Sequence, residues 1–253
     1  MLSFLTDMIT RAGDICLAEQ EGLTPGDLAF KSRKDLVTAT DKHVEAFIVQ
    51  QIQSRFPTHG VLGEETGRSR TSGEFLWIID PIDGTTSFFH GQPYYAVSIA
   101  LEKAGDIILG AVFAPALGQL FYAQKGRGAF LNDKPIQVSV TTNLTDAVMA
   151  TGFACLRAGH EHNNLGHFNR IVPRLRDIRR CGSAAADLAY VACGKLDGFW
   201  EMNLNIYDVA AGILLVTEAG GMVCDFHGGS RFPENGIVAG NHALAPILVS
   251  HLS

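Results

Sequence analysis

Between residues 75 and 126 the sequence runs through four apolar segments, FLWIID, YYAVSIALEK, IILGAVFAP and QLFYAQKG, the last three joined by connections as short as AGD and ALG. Strand-length segments with hairpin-length turns must lie antiparallel beside one another, which predicts a broad antiparallel sheet. Such a sheet needs an apolar layer against it. Two earlier segments can supply that layer. Phe4, Leu5, Met8, Ile9, Ala12 and Ile15 recur at helical spacing, and a second helix is expected from about Thr40 through Val44, Phe47, Ile48 and Ile52 until Pro57 stops it.

After about Thr145 strands and helices alternate: AVMATG, a helix near Asn164 to Leu175, the helical AAADLAYVAC, DGFWEM, the helix DVAAGILLVTEAG and GMVCDF. The change places a boundary near residues 140 to 146, giving an N-terminal α+β part (1–144) and a C-terminal α/β part (145–253). A chain of 253 residues, 47% hydrophobic, can bury a large core in one domain or two. Its formal net charge of -6 opposes broad nucleic-acid affinity, which Lys and Arg would have to drive. MLSFLTDMITRAGDICLAEQ has no basic leader and meets Asp7, Arg11 and Asp14 early, so it is expected to be neither signal peptide nor membrane span. Cys16, Cys155, Cys181, Cys193 and Cys224 are scattered and odd in number, without a CxxC pair. They are expected to be buried thiols in a reducing cytoplasm.

The densest chemistry lies where FLWIID runs into PIDGTTSFFHG. Asp80 and Asp83 would face one spot, and carboxylate and carbonyl oxygens are hard ligands suited to Mg²⁺. Pro81 fixes the turn so that the Ile82 carbonyl can join them. Gly84, Thr85 and Thr86 read as a helix start, whose unpaired N–H groups favour an anion such as phosphate. Taken alone, Asp-Pro and Asp-Gly are equally ordinary turn chemistry.

WIIDPIDGTT resembles the signature of the inositol monophosphatase family, and three more segments match that family in order: DLVTATD (Asp35 to Asp41), GEE (Gly63 to Glu65) and YDVAAGILLVTEAGG (Tyr207 to Gly221). The resemblance covers nearly the whole chain. It implies a layered αβαβα sandwich, a homodimer, and lithium-sensitive, magnesium-dependent hydrolysis of a small polyol or sugar phosphate. By the same resemblance Glu64, Asp80 and the Ile82 carbonyl hold one Mg²⁺, and Asp80, Asp83 and Asp208 hold a second, with a third more weakly bound at Glu64. Thr85 and Asp41 match positions that orient or deprotonate the attacking water together with Glu64. Asp83, Gly84, Thr85, Gly182, Ser183, Ala184 and Glu201 match substrate contacts. Lys31 stands one residue from the family's early Lys, and Ser87 and Tyr207 replace the usual Asn and Trp. Inositol monophosphate leads as the implied substrate, with histidinol phosphate and fructose 1,6-bisphosphate as alternatives. A regulatory partner-binding protein that keeps the fold is the non-enzymatic one.

Other features carry less. His160, His162 and His167 lie in GHEHNNLGH, a Gly- and Asn-rich segment that reads as a surface loop before a helix rather than as a zinc site. His90 is expected to pack or cap, and RLRDIRR (Arg174 to Arg180) to be a solvated helix end and strand start, with help in drawing an anionic substrate toward the site as the alternative. Glu65 and Asp187 are assigned no catalytic task, and Glu201 could also be an exposed strand-end charge.

Overall fold

A computed structural model describes residues 1–23, 28–32, 35–69 and 73–252, with side chains outside 24–38. Lys31 lies outside the described side chains. The expected first helix is α1 (Leu2–Gln20) and the second is α2 (Ala39–Arg55). Between them β1 (Leu28–Ser32) and β2 (Asp35–Thr38) form a two-stranded antiparallel ribbon.

The broad sheet has eight strands in the order β10-β9-β8-β7-β6-β5-β3-β4. They are β3 (Gly60–Gly63), β4 (Gly67–Arg68), β5 (Phe75–Asp83), β6 (Ala96–Lys103), β7 (Asp106–Ala114), β8 (Gln119–Gln124), β9 (Ala129–Leu131) and β10 (Lys134–Ile136). All neighbours pair antiparallel except β3 and β5. A short helix, α3 (Thr85–Phe89), follows β5, and His90 caps its C-terminal end as expected.

A second sheet of five strands runs β12-β11-β13-β15-β14. Its members are β11 (Val148–Thr151), β12 (Asp177–Arg179), β13 (Gly198–Glu201), β14 (Met222–Cys224) and β15 (Ile237–Gly240). The helices of this half are α4 (Ala154–Arg157), α5 (Leu165–Ile171), α6 (Ala184–Ala192), α7 (Ile206–Glu218) and α8 (Leu244–Leu252). The helix expected from Asn164 to Leu175 is shorter: Pro173 has no N–H to continue the α pattern, and Val172–Arg174 close as a 3₁₀ turn.

Period-two burial explains the layering. Trp77, Ile79, Val97, Ile99 and Leu101 on one face of the large sheet pack against Leu5, Met8, Ile9, Ile48 and Ile52 of α1 and α2. Leu76, Ile78, Ala100 and Val112 on the other face meet Leu188, Val191, Leu214 and Leu215 of α6 and α7. The small sheet covers those two helices from beyond with Ala150, Phe199, Ile237 and Ala239. Met149, Trp200 and Val238 on its far face pack on Leu244, Ala245 and Leu248 of α8. The succession of helices, sheet, helices, sheet and helices is the expected αβαβα sandwich. No helix among the described residues is long and apolar enough to cross a membrane. Of the five cysteines, Cys16, Cys155 and Cys224 are buried, Cys181 and Cys193 half-buried, and none is in a disulfide.

Candidate active site

β5 delivers two carboxylates. Along its regular part Leu76, Ile78 and Asp80 share the face toward α6 and α7, and strict alternation would turn Asp83 the opposite way. The register with β6 shifts between them: Asp80 lies opposite Ser98 and Asp83 opposite Ala96, so β5 takes three steps where β6 takes two. This bulge contains Pro81, which cannot donate to the ladder. It sends Ile82 into the core under α1 and α2 and brings Asp83 round beside Asp80.

Asp208 arrives from the other half as the third residue of α7, where its carboxylate accepts the Asn205 N–H at 2.6 Å in a capping box. One carboxylate oxygen from each of Asp80, Asp83 and Asp208 lies within 4.8 Å of the other two. Glu64 joins the wall of the same cleft from the turn after β3, its N–H donating to the Ile79 carbonyl at 3.2 Å. Glu45 of α2 holds that turn. Fully buried, it accepts the N–H groups of Glu65 at 2.9 Å and Thr66 at 2.8 Å.

Carboxylates gathered without a counter-ion raise one another's proton affinity. Burial pushes Asp80 well above the usual carboxylate range, and the charges of Glu64, Asp83 and Asp208 add to it. Burial also brings Asp83 up to about 6, against the Ala185 N–H at 2.6 Å and the Ser183 hydroxyl at 2.7 Å that donate to its Oδ2. Asp208 is raised by burial and then by Asp83. A donor set made of carboxylate oxygens, crowded and mutually repelling, fits a hard divalent cation such as Mg²⁺.

Beside this cluster the Thr85 hydroxyl has two acceptors for its single proton, Asp41 Oδ1 at 3.2 Å and the Ile82 carbonyl at 3.1 Å. Asp41 is buried in the first turn of α2. Gly84 caps α3 with φ of 95°, and a Cβ there would lie 2.8 Å from the Tyr94 carbonyl, so both conformation and space require glycine.

The cleft has a volume of about 390 Å³, within the range of small-molecule sites. Gly182, Ser183 and Ala184 line it at the start of α6, with Ser183 accepting the Ala186 N–H at 3.2 Å. Glu201 closes β13 at 6% exposure and accepts the Ala154 N–H at 3.1 Å, so it is a buried acceptor and not a solvated strand-end charge. Gly152 backs its carboxylate, where a Cβ would collide with it. Burial pushes the Glu201 carboxyl up to about 7.

The cleft thus gathers Glu64, Asp80, Ile82, Asp83, Gly84 and Thr85 with Gly182, Ser183, Ala184, Glu201 and Asp208. Asp41 reaches it through Thr85. Sequence reasoning overlooked Glu45 and Arg157 and gave Asp187 no task, yet Arg157, Arg180 and Asp187 line the cleft. An acid inside a helix carries no periodic mark of the side it serves. The histidines stay outside the site. Among the described residues, the three aspartates alone form a group of three or more ligating side chains close enough to share a cation. The GHEHNNLGH segment is nevertheless less superficial than expected. His167 is buried beside Arg170, and Asn164 is fully buried, donating to Thr151 and the Gly152 carbonyl and accepting from Trp200 Nε1.

Comparison with known proteins agrees with this arrangement. The sequence model of the inositol monophosphatase family matches residues 1–253. An inositol-1-monophosphatase of Rhizobium meliloti is 40% identical over 250 residues, which cover 98% of this chain and 94% of the relative. The Nus factor SuhB of Pseudomonas aeruginosa is 42% identical over 247 residues, 95% of this chain and 91% of the relative. The crystal structure of the extragenic suppressor protein suhB from Bartonella henselae superposes with a TM-score of 0.92 at 39% identity, covering 99% of this chain and 97% of that one. The chain belongs to the inositol monophosphatase family and is a phosphoric monoester hydrolase of that type.

Proposed function

We propose that the chain hydrolyses inositol monophosphate or a closely similar polyol phosphate, and that it uses two Mg²⁺ ions with a third more weakly held. The observation that carries this reading is the meeting of Asp80, Asp83 and Asp208, from both halves of the chain, within 4.8 Å in a cleft of small-molecule size. Glu64, Asp80 and the Ile82 carbonyl would hold one ion, and Asp80, Asp83 and Asp208 the other. Bound there, Mg²⁺ supplies Lewis acidity that lowers the proton affinity of a water and offsets phosphoryl charge.

The chain's own groups do the orienting. Thr85 commits its proton to Asp41 or to the Ile82 carbonyl, which leaves oxygen lone pairs to accept a hydrogen bond from the attacking water. Glu64 stands on the same wall as a further acceptor. Asp83, held by Ser183 and Ala185, keeps the two halves in register around the phosphate. Gly182, Ser183 and Ala184 bound the alcohol side, and the buried Glu201 accepts hydroxyls there. We place the protein in the cytoplasm as a homodimer, without nucleic acid as substrate.

A second reading, a regulatory partner-binding protein that keeps the fold, is prompted by the 42% identity to a protein named Nus factor SuhB. The intact carboxylate set supports hydrolysis. Phosphate release from inositol 1-phosphate, compared with histidinol phosphate and fructose 1,6-bisphosphate, should require Mg²⁺, favour the inositol ester and be inhibited by Li⁺. No release from any of the three with Mg²⁺ present would sink the enzymatic reading.

A further inference from the structure

The alcohol side of the cleft contains a carboxyl group for which the reading so far has no use. Asp187 lies in the first turn of α6, 2% exposed, and lines the cleft. Its Oδ1 is buried without a hydrogen-bond partner. The rest of the side chain is engaged: Asp187 accepts the Cys181 thiol, and it feels the charges of Glu201, Asp83 and Arg180. A buried acceptor left unpaired costs stability, so a fold keeps one only where something else satisfies it.

We propose that Asp187 is a specificity-determining residue, and that its Oδ1 and the Glu201 carboxylate together bind two neighbouring hydroxyl groups on the alcohol part of the ester. This rests on the reading of the cleft as a polyol phosphatase. Glu201 and Asp187 come from different elements, β13 and α6, and both line the cleft with Gly182 to Ala184, near enough for the Glu201 charge to act on Asp187. Ala154 N–H occupies one oxygen of Glu201, and the Cys181 thiol bonds Asp187. Acceptor capacity therefore remains on both carboxyl groups. A polyol offers two adjacent donors, each of which also accepts, and can bridge the pair without adding net charge. A site that is built to bond a substrate hydroxyl rejects an analogue lacking it, because the buried acceptors are then stranded.

The test compares inositol 1-phosphate with cyclohexyl phosphate, which has the same ring without free hydroxyls, and with histidinol phosphate, on wild type, Asp187→Asn and Asp187→Ala, all with Mg²⁺. Thermal melting of each protein is recorded alongside. Asp187→Ala is expected to lower kcat/KM for inositol 1-phosphate by about tenfold or more. Cyclohexyl phosphate should change by less than about twofold. Asp187→Asn should fall between the two on the inositol ester, since it keeps an acceptor. Asp187→Asn should not melt below wild type, since it keeps an oxygen for the Cys181 thiol and Oδ1 has no internal partner, whereas Asp187→Ala also removes the thiol's acceptor. A lowered melting temperature with both esters equally slowed would make Asp187 a structural residue and overturn the proposal. So would an unchanged preference between the esters. If instead histidinol phosphate loses most, the pair reads an ammonium group and the polyol assignment is wrong. If wild type hydrolyses none of the three, the phosphatase reading itself fails, and the role of Asp187 falls with it.

Discussion

Glu201 is held by the Ala154 N–H and closed in by Gly152, and burial raises its carboxyl from an ordinary 4.5 to about 7. Between those values the unfolded chain has released the proton while the folded chain retains it. By linkage, this residue's contribution to stability is present at low pH and is lost as pH rises through that window. Glu201→Gln removes the titration. In metal-free buffer the melting temperature of Glu201→Gln relative to wild type should therefore increase between pH 5 and pH 8, and a difference that stays flat would show that the carboxyl is not buried as described. With substrate the sign reverses. Glu201→Gln should lower kcat/KM for inositol 1-phosphate by about ten- to a hundredfold and leave a featureless aryl phosphate nearly unchanged. Equal slowing of both would mean that Glu201 supports the carboxylate cluster instead of reading the alcohol.

Among the elements, β5 shows both the reach and the limit of sequence reading. WIIDPIDGTT announced two aspartates at one spot, but alternation alone turns Asp83 away from Asp80. Only the register against Ser98 and Ala96 reveals the bulge that reunites them. Helix α2 was legible through Val44, Ile48 and Ile52, whereas Glu45 in the same helix was not. Its purpose is a contact with a turn twenty residues away, and no local pattern encodes that. Asp187 escaped for the same reason inside the alanine-rich α6. Pro173 did mark the end of α5, and the expected helix should have stopped there. The role of Glu45 can be measured. Glu45→Gln replaces one of two acceptors by a donor facing a backbone N–H, which costs about 1–3 kcal/mol. At this chain length that lowers the melting temperature by about 2 to 12 °C. Because the turn carries Glu64, the Mg²⁺ concentration for half-maximal phosphate release should rise as well. A stability loss with an unchanged Mg²⁺ requirement would separate Glu45 from the site.

At the scale of the whole molecule, the sandwich holds its acidic centre where the two sheets' layers meet: β5 of the large sheet supplies Asp80 and Asp83, and the start of α7 supplies Asp208. The helices and strands were legible because apolar periodicity recurs along the chain, and the family, with the layer order it implies, was legible in its four carboxylate-bearing motifs. The exact neighbours of each buried acid were not, since they depend on contacts between distant segments. Charge repulsion in this centre makes the metal-free fold weaker than the metal-bound one. Mg²⁺ at about a hundred times its dissociation constant should add roughly 2.7 kcal/mol. For this size that is a rise of about 5 to 11 °C in melting temperature. Asp208→Asn probes the centre most directly, because it removes one charge contributed by the second half while retaining an oxygen for the Asn205 N–H. Phosphate release from inositol 1-phosphate and melting with and without Mg²⁺ should be measured on wild type and this variant together. The expected result is loss of Mg²⁺-dependent turnover and a much reduced Mg²⁺-induced melting shift, with circular dichroism unchanged. Near-wild-type turnover and an undiminished shift in Asp208→Asn would contradict the assignment of these carboxylates as the metal-holding centre.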